Sequence, residues 1–138
     1  MKGKVVVRAI VLNDNDEVLL LRRDKNDESR SGDQDFPGGG VDEGEDLTAA
    51  VCREVFEEAG LTVAAADMQL FFGHTEVDEG MSVTRLVFFA TVHNPVITLS
   101  SEHDEYQWVP ADKVSTEFRH PVYSASVDYA FQHDLFKQ

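Results

Sequence analysis

Residues 36–61 read FPGGGVDEGEDLTAAVCREVFEEAGL, and this stretch decides how the chain is built. The run Gly38-Gly39-Gly40 lets the backbone approach a ligand closely, with no Cβ atoms in the way. A helix follows. Asp46 is placed to cap its N-terminus, Glu45 and Asp46 suit the positive end of its dipole, and Gly60 sits where a C′ glycine ends it. On a wheel turning about 100° per residue, Val51, Val55, Ala59, Cys52 and Phe56 form one apolar arc. Glu54, Glu57 and Glu58 occupy the adjoining arc, because positions three and four apart are neighbours on a helix. One side packs and the next is acidic. Stacked like charges repel, so the arrangement costs stability unless a cation neutralises it. Carboxylate oxygens at this density suit a hard divalent cation, which in turn grips and activates a phosphate chain.

Working outward, Val5 to Leu12 is apolar and β-branched, Asn13 to Asp16 is turn material, and Val18 to Leu21 is apolar again, which predicts a hairpin. Asp24 to Asp35 is polar without a period and reads as a loop. Met68 to Val77, Val83 to Val92 and Tyr106 to Val109 read as strands, with Asp78-Glu79-Gly80 turning between the first two. Pro121 suits the first turn of a second helix running to Phe136, with Val122, Ala125, Tyr129 and Phe136 facing the core. This order of elements supports a β-rich sheet with a helix on each side, an α/β fold.

The length of 138 residues predicts a single domain over 1–138. Hydrophobic residues at 42% and charged ones at 28% argue against disorder. The formal charge is −14, from 26 acidic and 12 basic side chains. Such a surface repels nucleic-acid polymers and anionic membranes, but a small nucleotide can arrive with Mg2+ already neutralising its phosphates. No segment approaches the roughly 20 apolar residues that span a bilayer, and MKGKVVVRAIVLNDNDEVLLL reads without a secretory signal. Cys52, alone in the sequence, can form no internal disulfide and reads as core filler. A cytoplasmic location is the expectation.

The spacing Gly39-x5-Glu45-x7-Arg53-Glu54-Val55-x-Glu57-Glu58-x-Gly60-Leu61 resembles the signature box of the Nudix hydrolases, with every defining position filled. Chance produces such a match in a chain of this size with a probability on the order of 10⁻⁷. The resemblance implies an α/β/α sandwich with a mixed β-sheet between helices. It also implies hydrolysis of a nucleoside diphosphate linked to another moiety, by water attacking phosphorus with Mg2+ or Mn2+ bound. Glu57 and Glu58 match the principal metal-ligating pair, and Glu54 matches a further ligand or base for water. The Gly38 carbonyl matches a backbone oxygen that completes the cation's shell. Arg53 and Glu45 match positions that orient loop and helix.

Outside the box, the resemblance implies a general base of variable position. The acidic knot Glu102-His103-Asp104-Glu105 supplies the candidate, and Glu105 is favoured over Glu102 because a strand edge positions a side chain better than a loop. His103 is set aside as a base, and the other histidines lack metal-ligand spacing. Arg22, Arg23 and Arg85 are candidate phosphate partners, with Gly39 among the substrate contacts. Phe36, Phe72, Phe118 and Tyr123 could stack on a nucleobase, with core packing the preferred reading for each.

The expected function is pyrophosphohydrolysis of a (deoxy)nucleoside triphosphate, ordinary or oxidised, to monophosphate and pyrophosphate. Family members acting on ADP-ribose carry a proline beyond the box, and those acting on dinucleoside polyphosphates a tyrosine. The segment His74 to Glu79 has neither, which disfavours these alternatives. A nucleotide-binding sensor without activity would be expected to show a broken box. A homodimer is a common state among the proteins this chain resembles.

Overall fold

The β-branched run near the N-terminus forms strand β1 (Lys2–Leu12), and the turn after it returns the chain as β2 (Glu17–Arg23). The computed structural model describes residues 2–24, 26, 32–118 and 120–136. Short strands β3 (Gln34–Asp35) and β4 (Gly38–Gly40) lead into helix α1 (Leu47–Ala59). Strands β5 (Gln69–Asp78), β6 (Met81–Thr91) and β7 (His103–Pro110) follow, and helix α2 (Pro121–Gln132) closes the fold.

The strands make one mixed sheet in the order β3-β2-β1-β6-β5, with β4 paired to β1 and β7 paired to β2. β1 runs parallel to β6 from Lys2 opposite Met81 to Leu12 opposite Thr91; the other pairs are antiparallel. Strand side chains alternate between faces, and the two faces carry separate cores. Ile10, Leu12, Leu20 and Phe89 pack with Val122, Val127 and Ala130 of α2. Ala9, Val11, Leu19 and Phe88 pack with Val51, Val55 and Ala59 of α1. The result is the expected α/β/α sandwich.

Several boundaries differ from expectation. The polar stretch over 24–35 lies partly outside the described residues, and its end, Gln34–Asp35, pairs with β2 as a strand. β7 begins at His103 rather than Tyr106, because pairing with β2 continues past the aromatic run. α2 stops at Gln132, and the chain folds back with Asp134 in the left-handed region (φ 58°), so that Phe136 still reaches the core. Ala125 is exposed, whereas Tyr123 and Ser126 are buried, because the helix presents a stripe stepping by three and four from Val122. On α1 the apolar face is narrower than the wheel suggested. Phe56 is 58% exposed and Cys52 is half-buried at the core edge.

Both caps of α1 are built as expected. The Asp46 carboxylate accepts from Ala49 N at 3.0 Å, and Gly60 turns left-handed at φ 73°. A Cβ on Gly60 would stand 2.9 Å from Thr98 Cβ. Gly60→Ala is therefore expected to lower unfolding free energy by about 1–3 kcal/mol in urea denaturation, with an unchanged circular dichroism spectrum.

Candidate active site

The site begins with the glycine strand. β4 lies against β1 with Val6, Val7 and Arg8 opposite Gly40, Gly39 and Gly38. A Cβ on Gly38 would overlap the Val7 carbonyl oxygen, and one on Gly39 would stand 2.7 Å from the Glu54 carboxyl carbon. The glycines thus let the α1 carboxylates lie directly on backbone. Glu58 is only 4% exposed, and its Oε1 accepts from Gly38 N at 2.8 Å. Burial pushes its pKa up to about 7, over the opposing pull of the Gly38 N–H and Arg8; the charges of Glu54 and Glu102 add to the rise. Burial also raises that of Glu54, against the hydrogen bond from Arg53.

Arg53 holds this edge of α1 together. Its guanidinium forks onto Glu45 at 2.8 and 2.9 Å, and Nη1 donates to Glu54 at 2.9 Å and Glu57 at 3.3 Å. The Glu45 carboxyl is held down to about 2, chiefly by that arginine. Arg53 itself is raised, first by Glu45. Part of the repulsion that the helix pattern assigns to a bound cation is therefore relieved from within the chain. Among the described residues, no three His, Cys, Asp or Glu groups already converge at metal-binding distance. The donor chemistry still fits a hard divalent cation. Glu54, Glu57 and Glu58 line one cleft, and burial disfavours the charged form of two of them, which a cation would reverse. The Gly38 carbonyl lies 3.4 Å from Arg8 Nη1, while its N–H faces Glu58.

That cleft, of about 410 Å³, adjoins a larger cavity of about 570 Å³ on the α2 side, and Arg23, Gly39 and Gly40 line both. Arg85 lines the larger cavity, where Glu76 takes its Nε at 2.7 Å and Tyr123 its Nη1 at 3.2 Å. Phe118 and Tyr123 also line that cavity, whereas Phe36 is buried in the core and Phe72 packs against it. Arg22 does not join them. Its Nε meets Asp104 at 2.9 Å and its Nη1 meets Glu105 at 3.1 Å.

The two acids of the knot are placed opposite to the sequence preference. Glu105 stands across from Arg22, on the sheet face away from α1, and lines neither cavity. A bulge between Arg22 and Arg23 then turns His103 toward Glu58 of α1, and Glu102, in the turn before the strand, lines the carboxylate cleft. The sequence reading also missed Arg8, a buried strand arginine whose Nη1 donates to Phe36 O at 2.9 Å. Burial works against its charge, but Asp35, Tyr123 and Glu58 outweigh it and raise its pKa. A cation among apolar strand positions was the available signal.

The NUDIX domain family model matches residues 2–129. The chain belongs to the Nudix family. Enzymes of this family act on pyrophosphate bonds in nucleotides and generally use divalent metals. Over 119 residues the chain is 34% identical to a human 8-oxo-dGDP phosphatase, covering 83% of this chain and 34% of that protein. It is 37% identical over 62 residues to the 8-oxo-dGTP diphosphatase of Escherichia coli K12, covering 45% and 47% of the two chains. The chain thus spans less than half the length of either of these curated relatives. The crystal structure of a MutT protein from Methanosarcina mazei superposes with a TM-score of 0.82 at 28% identity, covering 96% of both chains. Among the described residues, no helix is long and apolar enough to cross a membrane.

Because the Glu58 carboxyl binds its proton more tightly folded than unfolded, this group's contribution to stability is largest below the unfolded value and is lost as pH rises to about 7. Without divalent cation, the native chain is expected to lose up to about 3 kcal/mol relative to Glu58→Gln between pH 5 and 8, measured by urea denaturation. Added Mn2+ should shrink that loss.

Proposed function

We propose that this Nudix protein is a (deoxy)nucleoside triphosphate pyrophosphohydrolase that releases a nucleoside monophosphate and pyrophosphate. One observation carries the reading. A cavity walled by Phe118, Tyr123 and Arg85 opens across the glycine strand into the carboxylate cleft, with Arg23, Gly39 and Gly40 common to both. A nucleoside in the first would lay its phosphates across glycine backbone toward Glu54, Glu57 and Glu58. The relatives named for 8-oxo-dGDP and 8-oxo-dGTP support an oxidised deoxyguanosine nucleotide as the substrate to test first.

Glu54, Glu57 and Glu58, with the Gly38 carbonyl, would hold Mg2+ or Mn2+. Bound there, the cation supplies charge neutralisation on the phosphates and a lowered pKa for attacking water. Arg53 orients Glu54 and Glu57 through the contacts it already makes. Arg23 and Arg85 oppose the phosphate charge, Arg85 held in line by Glu76. Glu102 replaces Glu105 as the acid outside the helix that can accept a proton from water, with Glu54 as its competitor for that task. A cytoplasmic compartment and assembly as a homodimer accompany this reading.

Hydrolysis assays across nucleoside triphosphates, oxidised nucleotides, nucleotide sugars and dinucleoside polyphosphates with Mg2+ decide it. Pyrophosphate release from a triphosphate is the expected product; turnover of nucleotide sugars alone refutes the reading. Glu57→Gln is expected to lower kcat/KM by about 100-fold or more. Arg85→Ala should raise KM about tenfold while leaving kcat nearly intact, the signature of lost ground-state binding.

A further inference from the structure

His103 opens β7 opposite Arg23, just after the bulge in the ladder, and its side chain is 1% exposed. Its Nδ1 is buried with no hydrogen-bond partner among the described residues. Burying such an atom unpaired is costly, and a native structure needs a reason for it. The carboxylate oxygen within reach is Glu58 Oε2, at 3.8 Å, roughly 1 Å longer than a charge-assisted N–H···O bond. The other charged groups around the ring are Arg23, Arg8, Asp35 and Glu102. The arginines only donate, so neither can satisfy an Nδ1 proton.

Glu58 is already held at one oxygen by the Gly38 N–H. We infer that His103 is a positioning residue for Glu58, its Nδ1–H closing onto Oε2 so that both carboxylate oxygens are held and their remaining lone pairs face the cleft. This rests on the metal-binding reading above. Ligating carboxylates that are themselves hydrogen-bonded lose metal affinity about 10–100-fold when such a partner is removed. His103 takes no proton from water and touches no substrate in this account.

The measurement is Mn2+ affinity by calorimetry, without nucleotide, together with the imidazole tautomer from 15N NMR of the unaltered protein. Asparagine places an amide N–H where Nδ1 stands, and leucine does not. His103→Leu is expected to weaken Mn2+ binding about 10–100-fold, while His103→Asn stays within about threefold of the parent. A folded His103→Leu that binds Mn2+ as tightly as the parent overturns the inference, as does His103→Asn binding as weakly as the leucine variant. If the leucine variant does not fold, the asparagine variant and the tautomer decide: Nδ1–H supports the inference, Nε2–H alone overturns it. Absence of Mn2+ uptake by the unaltered protein would remove the metal reading itself, a failure visible before any substitution.

Discussion

A backbone N–H meeting a buried carboxylate, Gly38 to Glu58 at 2.8 Å, is the contact on which the rest of this site depends. It requires α1 to lie almost on top of β4, and that closeness requires glycine. Beneath Gly38 runs the Val7 carbonyl, and over Gly39 sits the Glu54 carboxyl, so neither position has room for a side chain. The strand in turn needs β1 as a partner, and β1 is fixed by its parallel register with β6. Two apolar cores clamp this sheet between helices. Its stability therefore supports an acidic group in a place where water cannot fully solvate it.

The electrostatics follow from that geometry. A carboxylate taken from water resists ionisation, and Glu58 shows the effect most strongly, with Glu54 behind it. Arg53 relieves part of the crowding by reaching back to Glu45 and across to Glu54 and Glu57. It is a brace, with its charge committed to neighbours. The cleft that remains is lined by Glu54, Glu57, Glu58 and Glu102 with Arg23, a donor set that a divalent cation and a phosphate chain together would complete. On the opposite face the large cavity is built differently, from Arg85, Tyr123 and Phe118, and its cation is aligned by Glu76. The two chemistries meet over glycine backbone.

The helix and its caps were legible because local rules suffice for them. Asp46 and Gly60 act through bonds within a few residues, and the strands are marked by β-branched apolar runs between turn residues. Phe56 and Ala125 were misplaced for one reason: a wheel gives angular neighbours but not the width of the contact made with a sheet. Glu105 was preferred over Glu102 on the argument that strands position side chains well. The strand does position it, on the face away from α1, because Arg22 stands opposite. One bulge, invisible in the residue order, turns His103 toward the helix, and Glu102 reaches the cleft from the turn before the strand.

Read alone, the amino-acid order determined the α/β class through the sequence of its elements, and the family, the limits of α1 and the residues of the carboxylate set through spacing along one short segment. Tertiary structure decided which carboxylate is buried, which arginines face a cavity and which are spent on surface ion pairs, and where Arg8 and His103 come to rest. Those outcomes depend on register between strands far apart in the chain. A displacement of one residue in that register turns a side chain to the other face of the sheet, and no local pattern records it.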